Sequence, residues 1–423
     1  MKLAALFAAW VAPLAAIAAA APQPRPIGDG GVSPFYAWSA AIPATPGRVL
    51  RQQALPREHA LPHAASAERI LYSSTDGVGA ATPIVVSGVI YLPRGRPPAG
   101  GWPLLSWAHG TTGAADVCAP SWMKPPPLRR TLFDTWLARG YAVLATDYQG
   151  LGVAGPHPYL LYRPEAYGVL DIARAALRRY PQELANKIIV GGHSQGSGAA
   201  LGAALLAAGY APELNILGTI ATGLVAQARD PGDAPQLPRH DYGPGYDAID
   251  TAFVMLFLIG DVASLHPHLD LRDYVREAGL PLLAAAQRGC LPEMVEVALA
   301  QRLSIDKAYT PAYPALIDEV VERGLFPDTH LRQPVFTVTG LADEDAPPSA
   351  QYNFISAMCH AGTQVESRYY PGETHNGAVG ASLPDAIAFA DRLLAGTAIA
   401  GNCANLEVPA SGSKGASTLG DVP

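Results

Sequence analysis

Short apolar runs with little polar interruption recur along the chain: "WPLLSWAHG" at 102–110, "YAVLATDYQG" at 141–150, "NKIIVGGHS" at 186–194, "NILGTIATGLVA" at 215–226 and "QPVFTVTG" at 333–340. A strand with one wet face alternates apolar and polar residues, so these runs predict strands buried on both faces of a mostly parallel sheet. Between them the period changes. "LRRTLFDTWLARG" (128–140) and "PEAYGVLDIARAALRRY" (164–180, opened by Pro164) carry the apolar spacing of helices that cover such a sheet. Ahead of this alternation, "AERILYSSTD" (67–76) and "PIVVSGVIYLP" (83–93) flank a glycine-containing turn and predict an antiparallel start.

The rhythm breaks between 227 and 332. That stretch shows no clear strand, only Pro-rich turns and helix-like segments such as "LDLRDYVREAGLPLLAAAQRG" and "PEMVEVALAQRL". Strand–helix order then resumes, with a helix around 349–361, the strand "VESRYYPG" and a last helix "LPDAIAFADRLLAG". The pattern predicts an α/β core over 67–226 and 333–403, interrupted by a helical cap insertion over 227–332. Residues 21–66, rich in Pro, Gly and Ala, read as an extended N-terminal arm, and 404–423 as a disordered tail.

Composition narrows the function classes. Of 423 residues, 49% are hydrophobic and 15% charged, as in a globular chain with a substantial core. A net charge of −7 supplies no basic footprint for nucleic acid or an anionic membrane surface. The first residues, "MKLAALFAAWVAPLAAIAAAAPQP", place Lys2, an apolar run and small residues in the order of a signal peptide. Residues 1–20 are therefore expected to be cleaved near Ala21, giving a secreted protein, extracellular or periplasmic; an uncleaved anchor is the rival reading. The apolar "AFVMLFLIG" at 252–260 reads as too short to cross a bilayer. Four cysteines in an exported chain predict two disulfides, with three pairings open.

The candidate chemistry starts at "IIVGGHSQGSGAALGAALL" (188–206). Gly192-His193-Ser194-Gln195-Gly196 is a G-x-S-x-G between a strand and an alanine-rich helix. This is the context in which a serine on a tight turn projects its hydroxyl above the sheet. Such a hydroxyl needs a base, and the base an orienting carboxylate, which follow in the order Ser, acid, His. "VFTVTGLADEDAPP" releases Asp343 from the end of a buried strand, with Glu344 and Asp345 as competitors. "YYPGETHNGAV" places His375 after the last strand. His193 reads as a supporting residue and Ser197 as structural. His360 is poorly placed, and His266 and His268 lack the further ligands a metal site needs. An oxyanion requires two backbone N–H donors: one from Gln195, the other from "SWAHGTTG", where His109-Gly110 turns sharply and presents Thr111.

Taken together, "HGTTG", "CAPSW", "YRPEAYGVLDIARA", "GHSQG", "GLADEDAPP" and "YYPGETHNG" resemble the α/β-hydrolase secretory lipases, the fungal lipase A-type enzymes and their bacterial relatives. The likeness runs from about Pro34 to Cys403. It implies Ser194 as nucleophile, Asp343 as acid and His375 as base, and the disulfides Cys118–Cys290 and Cys359–Cys403. Some fungal members carry an acidic residue in the oxyanion loop where this chain has His109-Gly110-Thr111. The function so implied is lipase or esterase hydrolysis of lipid or other hydrophobic esters through an acyl-enzyme, with no metal or organic cofactor. The expected partners are an ester substrate and a lipid–water interface. Acyltransferase, serine peptidase and a non-catalytic hydrolase-like binding protein are the rival readings.

Overall fold

A computed structural model describes residues 31–238 and 247–409. The expected signal peptide (1–20) lies outside the described residues, as do the first part of the arm and residues 410–423.

Among the described residues nine strands form one sheet: β1 (Val49–Ala54), β2 (Ala64–Thr75), β3 (Pro83–Pro93), β4 (Trp102–Ala108), β5 (Ala142–Thr146), β6 (Leu184–His193), β7 (Ile216–Thr222), β8 (Val335–Gly340) and β9 (Val365–Tyr370). Their spatial order is β1-β2-β3-β5-β4-β6-β7-β8-β9. Pairing is antiparallel from β1 to the β3–β5 contact and parallel from β5 through β9. This is an α/β-hydrolase sheet. The parallel strands are the non-alternating runs, and their central residues, among them Leu104, Leu105, Val143, Leu144, Ile189 and Phe336, are fully buried.

Helices cover both faces. On one side α2 (Tyr162–Arg179) and α3 (Gln195–Tyr210) pack alanines against Tyr72, Ile90, Leu144 and Val190. On the other, α1 (Pro127–Ala138) and the C-terminal α12 (Leu383–Leu394) close over Trp107, Ile189 and Phe336. The helix α2 begins at Tyr162, two residues before Pro164. A proline in the first turn removes an N–H that has no helical partner anyway, so the helix starts ahead of it.

Between β7 and β8 the described elements are helical: α4 (Asp247–Phe257), α5 (Ala263–Leu265), α6 (Leu280–Ala286), α7 (Leu291–Ala300), α8 (Ile305–Ala308) and α9 (Tyr313–Gly324). A π-helical turn, Leu258–Val262, joins α4 to α5. The resulting 19-residue helix, Asp247–Leu265, is long and apolar enough to cross a membrane, unlike the nine-residue run apparent in the sequence, where Asp250 and Asp261 interrupt the pattern. Its apolarity has a local cause. Ala252, Met255, Leu256, Leu258, Ile259 and Val262 are fully buried in the insertion's own core with Leu282 and Met294. The segment expected as one long helix-like run (269–289) breaks into short turns before α6, because Val275 bridges to Tyr309 and Gly279 packs against the Ala308 carbonyl.

Three further differences have local causes. β1 lies within the stretch read as a plain arm; it is an edge strand whose last residues face water, so it carries no buried apolar face to mark it. Gly223, at φ +54°, ends β7 earlier than the apolar run suggests. The chain also remains ordered past 404. Cys403 is bonded to Cys359, which lies in α10 (Pro348–His360), and the Tyr369 hydroxyl donates to the Glu407 carbonyl at 2.7 Å. The second disulfide, Cys118–Cys290, ties the segment after β4 to the start of α7.

Candidate active site

Ser194 stands between β6 and α3 with φ +56° and ψ −123°, a conformation that residues with a side chain rarely adopt. The turn is tight enough to dictate its neighbours. A Cβ on Gly192 would lie 1.9 Å from the Gly196 carbonyl oxygen, and one on Gly196 would lie 2.0 Å from that of Ala108. Both positions therefore exclude any side chain. Ser194 keeps partial exposure between buried His193 and Gln195. The Ser197 hydroxyl donates to the Ser194 carbonyl at 2.6 Å and accepts from Val225 N at 2.8 Å, a structural brace for the turn.

His375 lies between β9 and α11 (Gly377–Ala381). Its Nδ1 donates to Asp343 Oδ2 at 2.8 Å, and both residues are buried, at 6% and 3% exposure. Asp343 is fixed in turn by Ala346 N on Oδ1 (2.8 Å) and by Gln351 Nε2 on Oδ2 (3.0 Å). Among the three acids of the loop it is Asp343 that meets the imidazole, while Asp345 borders the adjoining cavity.

His375 reaches the elbow beside His193, with ring centroids 4.5 Å apart. Gly223 leaves room for it: a Cβ there would sit 2.7 Å from His375 Cε1. His193 bonds Thr222 through Nδ1 and Asn376 Oδ1 through Nε2 (3.0 Å). Burial, reinforced by the neighbouring His375, pushes its imidazole down to about 3, so it stays neutral.

On the opposite side, the loop after β4 crosses the elbow. A Cβ on Gly110 would come 3.4 Å from the His193 carbonyl oxygen and 3.5 Å from Ser194 Cβ. The loop is buttressed from behind: Tyr148 stacks on His109 at 4.2 Å and its hydroxyl donates to the His109 carbonyl at 2.8 Å. Thr111 is buried, and its hydroxyl shares a 3.0 Å hydrogen bond with Tyr159. Gln195 Nε2 donates to Glu165 Oε1 at 2.7 Å and to His157 Nε2 at 2.8 Å, while His157 Nδ1 donates to the Gln149 carbonyl at 3.0 Å. Burial holds the His157 imidazole at about 4 and pushes the Glu165 carboxyl up to about 8, so both groups are neutral at pH 7.

A cavity of about 280 Å³ opens next to Gln195, between the sheet and the insertion, lined by Glu165, Leu224, Val225, Phe257, Val320 and Phe326 among others. Its lining is mostly apolar. Among the described residues no group of three or more His, Cys, Asp or Glu converges as metal ligands; His266 instead pairs with Glu319 at 2.8 Å.

Tyr159, Gln351 and Gly223 carry no motif in the sequence, and Glu165 and Asn376 lie within stretches that carry the resemblance without being marked as site residues. Gln351 serves the acid loop from α10 while its Oε1 accepts from Leu224 N, 127 residues away, and no local pattern encodes such a contact.

The secretory lipase family profile matches residues 128–402. A lipase A of Moesziomyces aphidis is 28% identical over 219 residues, 49% of this chain and 45% of that protein. A Mycobacterium tuberculosis protein named "Probable inactive lipase" is 30% identical over 205 residues, 44% of each chain. The matched region thus spans about half the length of these curated relatives. Candida antarctica lipase A in its closed state superposes with a TM-score of 0.65 at 18% identity, covering 92% of both chains, which bears on the fold alone.

Proposed function

This chain belongs to the secretory lipase family, and from that premise we propose that it is a serine carboxylic-ester hydrolase working through an acyl-enzyme on Ser194. His375 takes the hydroxyl proton through Nε2 as Ser194 Oγ attacks the ester carbonyl. Asp343, hydrogen-bonded to Nδ1, holds the ring and stabilises the imidazolium that forms. The N–H groups of Gln195 and Thr111 receive the oxyanion. Collapse of the tetrahedral intermediate sends the alcohol away with the proton from His375. A water molecule, deprotonated by His375, then attacks the acyl-enzyme, and the acid leaves as Ser194 recovers its proton.

One observation carries this reading: a serine held at positive φ on a glycine-walled turn, with a buried His375–Asp343 pair delivered to the same corner. The apolar cavity between sheet and insertion, with residues 227–332 acting as a cap, supports hydrophobic acyl groups and hence lipid or other hydrophobic esters as substrates. Two disulfides support an oxidising compartment, in keeping with export.

A fluorophosphonate should label the wild-type protein and leave Ser194→Ala unlabelled. An unlabelled wild type would favour a non-catalytic binding protein, a reading with some support in the relative named inactive. A series of p-nitrophenyl esters of rising chain length, with and without a lipid interface, separates lipase from esterase.

A further inference from the structure

Both expected oxyanion donors are held from outside the reacting triad by one short segment. His157 Nε2 accepts from the side-chain Nε2 of Gln195 at 2.8 Å, and the Tyr159 hydroxyl meets Thr111 Oγ1 at 3.0 Å. Leu160 N donates at 3.0 Å to Glu165 Oε1, the atom that also receives the Gln195 amide at 2.7 Å. The segment is itself constrained: Leu160 sits at φ +58°, a strained conformation for a bulky residue that persists only where its surroundings enforce it.

The surroundings belong to the insertion. Tyr159 is part of the insertion's apolar core and meets Phe257 edge-on at 5.3 Å. Gly260, inside the π-helical turn, comes so close that a Cβ there would lie 2.4 Å from the His157 carbonyl oxygen. The insertion grips the oxyanion loop a second time, where Leu291 N donates to the Thr112 carbonyl at 2.9 Å beside the Cys118–Cys290 bond. Asp261 of the same π turn is a fully buried carboxyl with no hydrogen-bond partner for either oxygen among the described residues.

We propose that Tyr159 and Glu165 are positioning residues for the two oxyanion donors, and that the helical insertion, seated on Tyr159 and His157 through Phe257 and Gly260, sets how well the transition state is held. Neither residue needs to touch the reacting atoms. Tyr159 fixes the loop that presents Thr111, and Glu165 fixes the side chain of the residue whose N–H is the other donor. Misplaced donors would weaken transition-state binding more than substrate binding, so the expected signature lies in kcat. This inference rests on the ester-hydrolase reading.

The test compares wild type, Tyr159→Phe, Glu165→Leu and Glu165→Gln on p-nitrophenyl acetate, whose short acyl group leaves the apolar cavity unfilled. Tyr159→Phe and Glu165→Leu should each lower kcat roughly tenfold with KM unchanged, and should weaken inhibition by an alkylboronic acid, a tetrahedral mimic, by the same factor. Glu165→Gln keeps an oxygen to accept from Gln195 and Leu160 and should return kcat to within about twofold. Changes confined to KM, or kcat and boronate inhibition within twofold of wild type in both disruptive variants, would overturn the positioning role while leaving the hydrolase reading intact. Absence of activity in the wild type, or its survival in Ser194→Ala, would overturn that reading and this inference with it.

Discussion

The two flanks of the elbow are built differently. On the base side, Asp343 and His375 on loops, His193 at the end of β6 and Gln351 on α10 all belong to the sheet domain and are bonded within it. On the oxyanion side, Thr111 and Gln195 are held through Tyr159, His157 and Glu165, of which Tyr159 and His157 pack against the insertion. The base side is complete within the core; the oxyanion side is completed by a region that the core surrounds. On the proposed mechanism, proton transfer and oxyanion stabilisation then depend on different parts of the molecule, and a change in the insertion is expected to reach the second and spare the first.

The largest expected effect tests the base side alone. Asp343→Asn should nearly keep the side-chain volume but strand His375 in the wrong tautomer, lowering kcat by about 10⁴-fold in the folded variant. Comparable losses from an insertion variant, with base-side residues untouched, would break the distinction.

The disulfides sharpen it. Removing Cys118–Cys290 or Cys359–Cys403 as paired alanines should each cost about 2–5 kcal/mol of stability. The first closes 172 residues against 44, so loop entropy adds about 1 kcal/mol to its share. Only loss of Cys118–Cys290, beside the oxyanion loop, should also lower kcat at temperatures where the variant stays folded. Equal kinetic effects from the two pairs would contradict the comparison.

A further effect appears in pH. Burial raises the Glu165 carboxyl from an ordinary value near 4.5 to about 8, with the Gln195 and Leu160 donors opposing. Between those values the unfolded chain gives up this proton and the folded one keeps it, so stability falls as pH rises from about 4.5 to about 8 and levels off above. Glu165→Gln removes that slope. Its Tm should match wild type near pH 4, exceed it increasingly toward pH 8, and hold the advantage beyond; parallel Tm curves would show that the carboxyl is ionised in the folded protein.

What could be read beforehand divides along the same line. The parallel strands were legible because burial on both faces leaves no polar alternation, and the elbow because Gly192 and Gly196 have no steric alternative. Asp343 could be singled out among three acids only by loop position, since the hydrogen bond to His375 depends on where β8 and β9 end side by side. The cysteine pairing came from family resemblance, as four cysteines leave three pairings open. The contacts of Tyr159 and Glu165 were not legible because their partners are brought to them by tertiary packing: Thr111 lies 48 residues from Tyr159 and Gln195 lies 30 from Glu165. β1 failed for the opposite reason, an exposed edge whose polar residues look like loop.

The positive φ of Ser194 implies that this protein is less heat-tolerant than its own fold allows. Alanine at 194 keeps the unfavourable backbone, whereas glycine relaxes it. Ser194→Gly should therefore melt higher than Ser194→Ala by the equivalent of about 1 kcal/mol, even though glycine loosens the unfolded chain. Such an inactive but sturdier variant would measure directly what natural selection has given up in durability to keep one hydroxyl aimed outward.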